Sequence, residues 1–315
     1  MPRVAVVIPC YNRAHCIADA VQSALDQTRP PERIVVVNDG STDPSNQVLA
    51  GFGKRITVID QPNAGVAAAR NTGVAAADDC DLIAFLDSDD VWDPGKLERQ
   101  LPLHDRADVV LSASNWAWAD RPDEPEYERL GIGPAGVGDE PALATLLRFE
   151  GHGFWLPTWI VRRDALCRVG GFDPRMKRVE DTRVLFRLSF EGCFAICEQV
   201  GTLRSSQVDS VQLTDTASAA YQADYVPATI EVLLETYARA WRLESALQQR
   251  LRRFAAYYLL SHAKLLAAAG DRAGARRRAR EALAFGAAGR HRLQALVLWL
   301  VPGAYVRLSS RRSIQ

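Results

Sequence analysis

The chain has 315 residues, 48% of them hydrophobic, which supplies one large core or two moderate ones and excludes a disordered or low-complexity protein. Basic and acidic residues balance at 38 each, but unevenly: residues 271–315 hold ten arginines against Asp271 and Glu281, a net charge of +8, which leaves −8 on the remainder. The six cysteines form no CxxC pair and no zinc-ligand spacing, and the first apolar run, 4–8, is too short for a secretion signal, so a cytoplasmic protein with reduced thiols is expected.

In chain order, short β-branched runs alternate with helical patterns through the first hundred residues. Strands are predicted at 4–9, 34–38, 56–60 and 82–86, with helices at about 15–27, 43–52 and 65–77. Nearly continuous apolar strands between helices indicate an α/β fold with a parallel sheet covered on both faces. Ligands of such sheets bind beyond the carboxyl ends of the strands. Those ends read PCYNR (9–13), NDGSTD (38–43), QPNAG (61–65) and DSDD (87–90), and all four should converge on one rim. Further strands are expected at 109–113 and 156–162, followed by an amphipathic helix over 178–192 behind the acidic pair Glu180-Asp181. The same region holds Trp116, Trp118, Phe154, Trp155, Trp159 and a glycine-rich loop at 131–138. From about 218 the pattern is helical almost to the end, with a turn at Ala269-Gly270-Asp271 between two helices. His15 and His104 are expected on helix surfaces.

The acidic loop carries the first chemical signal. Asp87, Asp89 and Asp90 repel one another unless protons, basic side chains or a cation compensate them. Carboxylates spaced Asp-x-Asp behind a buried strand can turn oxygens toward one hard cation and leave positions for phosphate oxygens and water, which suits Mg2+ or Mn2+. By spacing alone, a solvated Asp-rich turn is the other reading.

The segments VVIPCYNR, IVVVNDGSTD, NAGVAAARNTG, LIAFLDSDD, GGFDPR and VEDTRVLFRL, in that order over about residues 3–200, resemble the family 2 glycosyltransferases of GT-A fold. The resemblance implies a Rossmann-like, mostly parallel sheet flanked by helices, with a nucleotide-sugar-binding half over 1–105 and an acceptor-binding half over 106–215. A C-terminal helical region with a basic tail follows over 216–315. The implied activity is inverting, metal-dependent hexosyl transfer from a nucleotide-diphospho-sugar to a glycan or lipid-linked hydroxyl, in assembly of a bacterial surface polysaccharide or glycolipid.

Residue by residue, the resemblance places Pro9, Tyr11, Asn12 and Ser88 in the donor site, with Asp39 accepting from the base. A carboxylate there favours uracil, and so a UDP-sugar. Arg70 would approach the diphosphate, Asp89 would be the principal metal ligand for Mn2+ or Mg2+, and Asp87 would contact the ribose or the metal. Asp181 is the expected catalytic base, with Glu180 beside it and Arg187 orienting or pairing the acidic cluster; Asp90 is expected to be structural. Gly170 and Gly171 would turn the backbone under the donor sugar. Trp155 and Trp159 offer faces for stacking on a sugar ring, with core packing expected for at least one, and His152 is a candidate acceptor contact. Plain alternatives stand beside these roles: Ser41 or Thr42 capping the next helix, and Glu180-Asp181 serving as an acidic helix N-terminus.

One departure concerns the metal site. Relatives carry an Arg-x-His arrangement after the strand that follows the base helix, whereas here Arg204 precedes Ser205, Ser206 and Gln207, which removes an imidazole ligand. The segment 289–312 has arginines at both ends of an apolar core too short to span a bilayer, with Trp299 and Tyr305 inside it. It reads either as a peripheral contact with the inner face of the cytoplasmic membrane or as a packed terminal helix. No nucleic-acid partner is expected. A catalytically silent sugar-nucleotide-binding scaffold is the alternative function, against which Asp89 and Asp181 speak. Absence of GxGxxG after the first strand and of a P-loop sets aside dehydrogenases and ATPases.

Overall fold

The computed structural model describes residues 2–130, 141–148, 154–205 and 219–302. The expectations at 131–138, His152, Ser206, Gln207 and 303–312 lie outside the described residues. The chain divides into two compact units, Met1–Gln212 and Leu213–Gln315.

The first unit is built on one sheet. Its strands are β1 (Val4–Cys10), β2 (Arg33–Asp39), β3 (Thr57–Gln61), β4 (Leu82–Phe85), β5 (Val91–Trp92), β6 (Val109–Trp118), β7 (Trp159–Arg162) and β8 (Cys193–Arg204). The helices of this unit are α1 (Ile17–Leu25), α2 (Ser45–Ala50), α3 (Val66–Ala75), α4 (Lys96–Gln100), α5 (Glu126–Arg129), α6 (Ala142–Arg148), α7 (Arg163–Arg168) and α8 (Glu180–Leu188). The eight strands lie in the order β3-β2-β1-β4-β7-β6-β8-β5. β1 through β4 are mutually parallel, as the near-continuous apolar runs of β1, β2 and β4 predict; β3, at the sheet edge, is largely exposed. β7 is antiparallel to both β4 and β6, and β8 is parallel to β6. Two reversals cancel, so β6 and β8 end on the same edge as the first four strands. The acidic loop leads from β4 in mid-sheet to β5, which pairs with β8 at the far edge. The fold is therefore mixed α/β with a mostly parallel sheet.

All seven residues of β1 are buried, because the strand is covered on both faces. Val4, Val6 and Ile8 join Ile17, Val21 and Leu49 in a core under α1 and α2. On the other face α3 lies directly on the strand, since a Cβ added at Gly73 would collide with the Val7 side chain. His104, expected on a surface, is 3% exposed and bonds Ser112 Oγ at 2.8 Å. A short turn after α4 tucks it under β6, where burial pushes its pKa down to about 4 and keeps the ring neutral. Trp159 is core, 1% exposed in β7.

The second unit contains α9 (Ala219–Arg239), α10 (Ser245–Ala268), α11 (Arg272–Ala284) and α12 (Gly289–Leu300). Val226, Ile230, Leu259, Leu260, Ala275, Ala279 and Leu298 share its core. The predicted turn is present: Gly270 has φ 86° and Asp271 caps α11 by accepting from Gly274 N at 2.8 Å.

The contact of α3 with β1 yields a test. Gly73→Ala is expected to lower stability by about 1–3 kcal/mol through overpacking against Val7, measured by urea unfolding of the whole chain.

Candidate active site

The carboxyl ends of β1, β2, β3 and β4 meet through side-chain bonds. Asn12, with φ 53°, accepts through Oδ1 from Thr42 N at 2.7 Å and Asp43 N at 3.3 Å, and its own N–H donates to Ser41 Oγ at 3.0 Å. It thus ties the first loop to the second. Asp39, 3% exposed, accepts from Gln61 Nε2 at 2.7 Å, Ala64 N at 2.9 Å and Gly65 N at 2.8 Å, which ties the second loop to the third. Tyr11 is exposed, Pro9 is buried within β1, and Ser88 is buried in the acidic loop.

Arg70 on α3 is the electrostatic centre. It is 5% exposed and donates to Glu180 Oε1 at 2.7 Å and to Asp87 Oδ1 at 2.9 Å, while its guanidinium lies 5.5 Å from the Phe172 ring centroid. Burial works against its charge, but Asp87 and Glu180 outweigh it and its pKa rises. Its two amino groups are engaged by carboxylates.

Asp181, half-buried, follows Glu180 in the first turn of α8 and accepts from Thr182 N at 2.6 Å. Burial first, then the adjacent Glu180 carboxylate, push its pKa up to about 6 against the pull of Arg70. Val179, immediately before, has φ 56°, an uncommon conformation for a β-branched residue that marks local strain. Arg187 donates to the Val169 carbonyl at 3.1 Å, at the start of the GGFD turn. That turn docks on Asn71, whose side chain bonds Phe172 N at 3.0 Å and Phe172 O at 2.7 Å. Gly171, at φ 61°, has room for no Cβ there, because one would lie 2.7 Å from Asn71 Oδ1.

In the acidic loop the three aspartates differ. Asp90 is 3% exposed and accepts from Ser205 N at 3.0 Å; burial, then Asp87 and Asp89, raise its pKa well above the usual range. Asp89 faces Arg13 at 3.6 Å. Sequence reasoning passed over Arg13 and Asn71, although both stand inside quoted motifs, because pattern does not say which loop partner a side chain will meet. Among the described residues no three His, Cys, Asp or Glu side chains form a ready-made metal group. Asp87 and Asp89 nevertheless keep side-chain exposures of 26% and 24% and offer hard oxygen donors. That fits Mg2+ or Mn2+, which take one or two carboxylates and complete their shells with phosphate oxygens and water.

The chain has the GT-A class of fold, a mostly parallel α/β sheet with its loops gathered on one edge. The chain belongs to glycosyl transferase family 2, whose family model matches residues 5–169. Among curated relatives, the putative teichuronic acid biosynthesis glycosyltransferase TuaG of Bacillus subtilis (strain 168) is 42% identical over 104 residues, 32% of this chain and 41% of that one. Matched stretches in the curated relatives compared cover between 17% and 67% of the relative's own length. The solved structures that share the fold include the following two. S. aureus TarS 1-349 in complex with UDP-GlcNAc has a TM-score of 0.68 at 16% identity, covering 98% of this chain and 92% of that one. Mannosyltransferase PcManGT from Pyrobaculum calidifontis, in complex with GDP-Man and Mn2+, has a TM-score of 0.57 at 18% identity, covering 99% and 84%.

Removing Arg70 leaves Glu180 and Asp87 close together and uncompensated. Arg70→Met is expected to cost about 3–5 kcal/mol at pH 8. Urea unfolding of the full chain at pH 8 checks it.

Proposed function

We propose that the protein is an inverting, divalent-metal-dependent glycosyltransferase. It moves a sugar from a nucleoside-diphosphate donor, a UDP-sugar first, to a hydroxyl of a glycan or lipid-linked acceptor in assembly of a bacterial surface polysaccharide or glycolipid. The observation that carries this reading is the division of labour among acids on one rim. Asp181 has a pKa raised to about 6, while Asp87 and Asp89 stand partly open beside cationic partners. The bound ligands of the two fold neighbours support a nucleotide-sugar donor and a divalent cation, and the TuaG similarity supports polysaccharide assembly.

Asp181 acts as the base. A carboxylate titrating near 6 takes the proton of the acceptor hydroxyl as its oxygen attacks the anomeric carbon, and the nucleoside diphosphate leaves on the opposite face. One base and direct displacement invert the configuration. Asp89 and Asp87 would hold Mn2+ or Mg2+, which when bound supplies charge neutralisation at the departing diphosphate. Asp39, fixed by its three donors, presents a remaining lone pair toward a ring N–H of the base, and Pro9, Tyr11, Asn12 and Ser88 shape the pocket around it. Arg70 holds Glu180 and Asp87 in register, and Arg187 braces α8 against the GGFD turn. In this reading 1–105 is the donor half, 106–215 the acceptor half and 216–315 a helical appendage.

Purified protein incubated with UDP-, GDP- and dTDP-sugars and Mn2+ or Mg2+ should release nucleoside diphosphate from one donor. Asp89→Ala and Asp181→Asn are each expected to reduce that release by about 10²–10⁴-fold. Absence of metal-dependent release from every donor, together with no thermal stabilisation by any nucleotide, overturns the reading. The base assignment predicts that kcat/KM for donor hydrolysis rises with pH through a midpoint near 6 and levels above it, since only the ionised form of Asp181 accepts a proton.

We also infer a cytoplasmic location with peripheral contact at the membrane's inner face. Leu293 and Leu300, 65% and 61% exposed, lie seven residues apart on one face of α12, with Trp299 and Val301 also exposed, and the sequence from 271 to 315 carries a net charge of +8. Among the described residues no helix is long and apolar enough to cross a membrane. The full chain should float with phosphatidylserine vesicles at low salt and be released at high salt, and Leu293→Ser/Leu300→Ser should weaken flotation; no binding at low salt refutes the contact.

A further inference from the structure

Three indoles converge on one cation at the far side of the acidic loop. Trp118 is registered opposite Arg204 across the β6–β8 pair, and Trp116, two residues earlier on β6, shares its face. The Arg204 guanidinium lies 4.8 Å from the Trp118 ring centroid, 5.1 Å from Trp155 and 5.7 Å from Trp116. Trp116 is buried, but Trp118 and Trp155 are only half-buried. The Trp118 ring is fixed by a bond from its Nε1 to the buried Glu126 Oε1 at 3.1 Å.

The turn that carries Trp155 is pinned more firmly than its length requires. The Pro157 carbonyl accepts from Trp92 Nε1 at 3.0 Å and from Thr202 Oγ1 at 3.1 Å. The Thr158 carbonyl accepts from Lys96 Nζ and from Gln100 Nε2, each at 2.9 Å. Lys96 is 1% exposed, and its acceptors, Gln100 Oε1, Ser114 Oγ and Thr158 O, include no carboxylate. Burial pushes the Lys96 pKa down to about 7, and its bond to the Thr158 carbonyl fixes the turn that carries Trp155. The same corner is joined to the acidic loop by the Ser205 N to Asp90 Oδ1 bond at 3.0 Å.

Flat, half-open indoles held rigidly beside a transfer site suit the C–H face of a sugar ring, which packs on an aromatic face without needing a matched polar partner. The donor-side loops end β1 to β4, whereas this corner ends β6 and β8, on the acceptor side of the acidic loop. We propose that Trp118 and Trp155, clamped against Arg204, form the stacking platform for a sugar ring of the acceptor glycan, with Lys96 as a positioning residue for Trp155. This rests on the transferase function proposed above.

The test uses the full-length protein on a printed array of bacterial surface glycans, with UDP plus Mn2+ thermal stabilisation measured in parallel. Wild type should bind at least one glycan class. Trp155→Ala and Trp118→Ala should each lose at least tenfold of that binding while retaining nucleotide stabilisation, which also certifies that they fold. Trp155→Phe should keep part of it, Lys96→Met should lose it with nucleotide binding intact, and Trp241→Ala, at an exposed indole of the second unit, should change nothing. Glycan binding that survives in both alanine variants overturns the platform. Nucleotide binding with no glycan bound also overturns it and leaves the transferase function standing, whereas loss of both in wild type sinks the transferase function first.

Discussion

The candidate site depends on one buried cation between acids that no single secondary element holds together. Arg70 comes from α3, Asp87 from the loop after β4 and Glu180 from the first turn of α8. Like charges from two elements meet there because the guanidinium from a third presents a separate amino group to each, a fork that lysine cannot reproduce. The bond that brings the elements together also sets the chemistry. With Glu180 paired to Arg70, Asp181 next door feels burial and a neighbouring carboxylate and its pKa is raised, which the proposed base role would use.

Rigid local geometry surrounds this pair. Among the described residues the non-glycine positions with positive φ are Asn12 and Val179, one in the loop after β1 and the other just before Glu180. Asn12 is a residue type that tolerates the left-handed region and is held there by the second loop. Val179 is not such a type; its conformation costs on the order of 1–3 kcal/mol, and it starts α8 so that Glu180 turns to Arg70. The bidentate hold of Asn71 on Phe172 keeps the preceding turn in place. Strain at the start of α8 and the buried ion pair are thus two sides of one arrangement.

The acidic loop shows how position separates identical side chains. Asp87 pairs with Arg70, Asp89 with Arg13, and Asp90 is folded inward onto Ser205 N. The crossing from β4 to β5 explains the difference: a loop spanning mid-sheet to edge turns one side chain toward the packed interior while its neighbours face the rim. The arginines compensate the carboxylates that stay partly open to solvent, and these are the oxygens a hard cation would recruit.

β1, β2 and β4 were legible in the sequence because buried parallel strands write nearly unbroken apolar runs; β3, largely exposed at the sheet edge, was legible from its β-branched residues, and the motifs at the ends of all four fall where ligands of such sheets bind. The acidic pair heading α8 was legible for a similar reason, since helix N-termini favour acids. Local pattern could not reveal partners distant in the chain: Arg70 meeting Glu180, Asn71 meeting Phe172, Arg13 meeting Asp89, or His104 drawn inward to Ser112. Nor could it tell that Trp159 lies in the core while Trp155, four residues earlier, stays half-open against Arg204. Sequence determined the strands, the rim and the kinds of chemical group on it, because those follow from periodicity and local propensity. Only the tertiary structure decided which charges compensate which, because pairing depends on distances across the sheet that sequence separation does not encode.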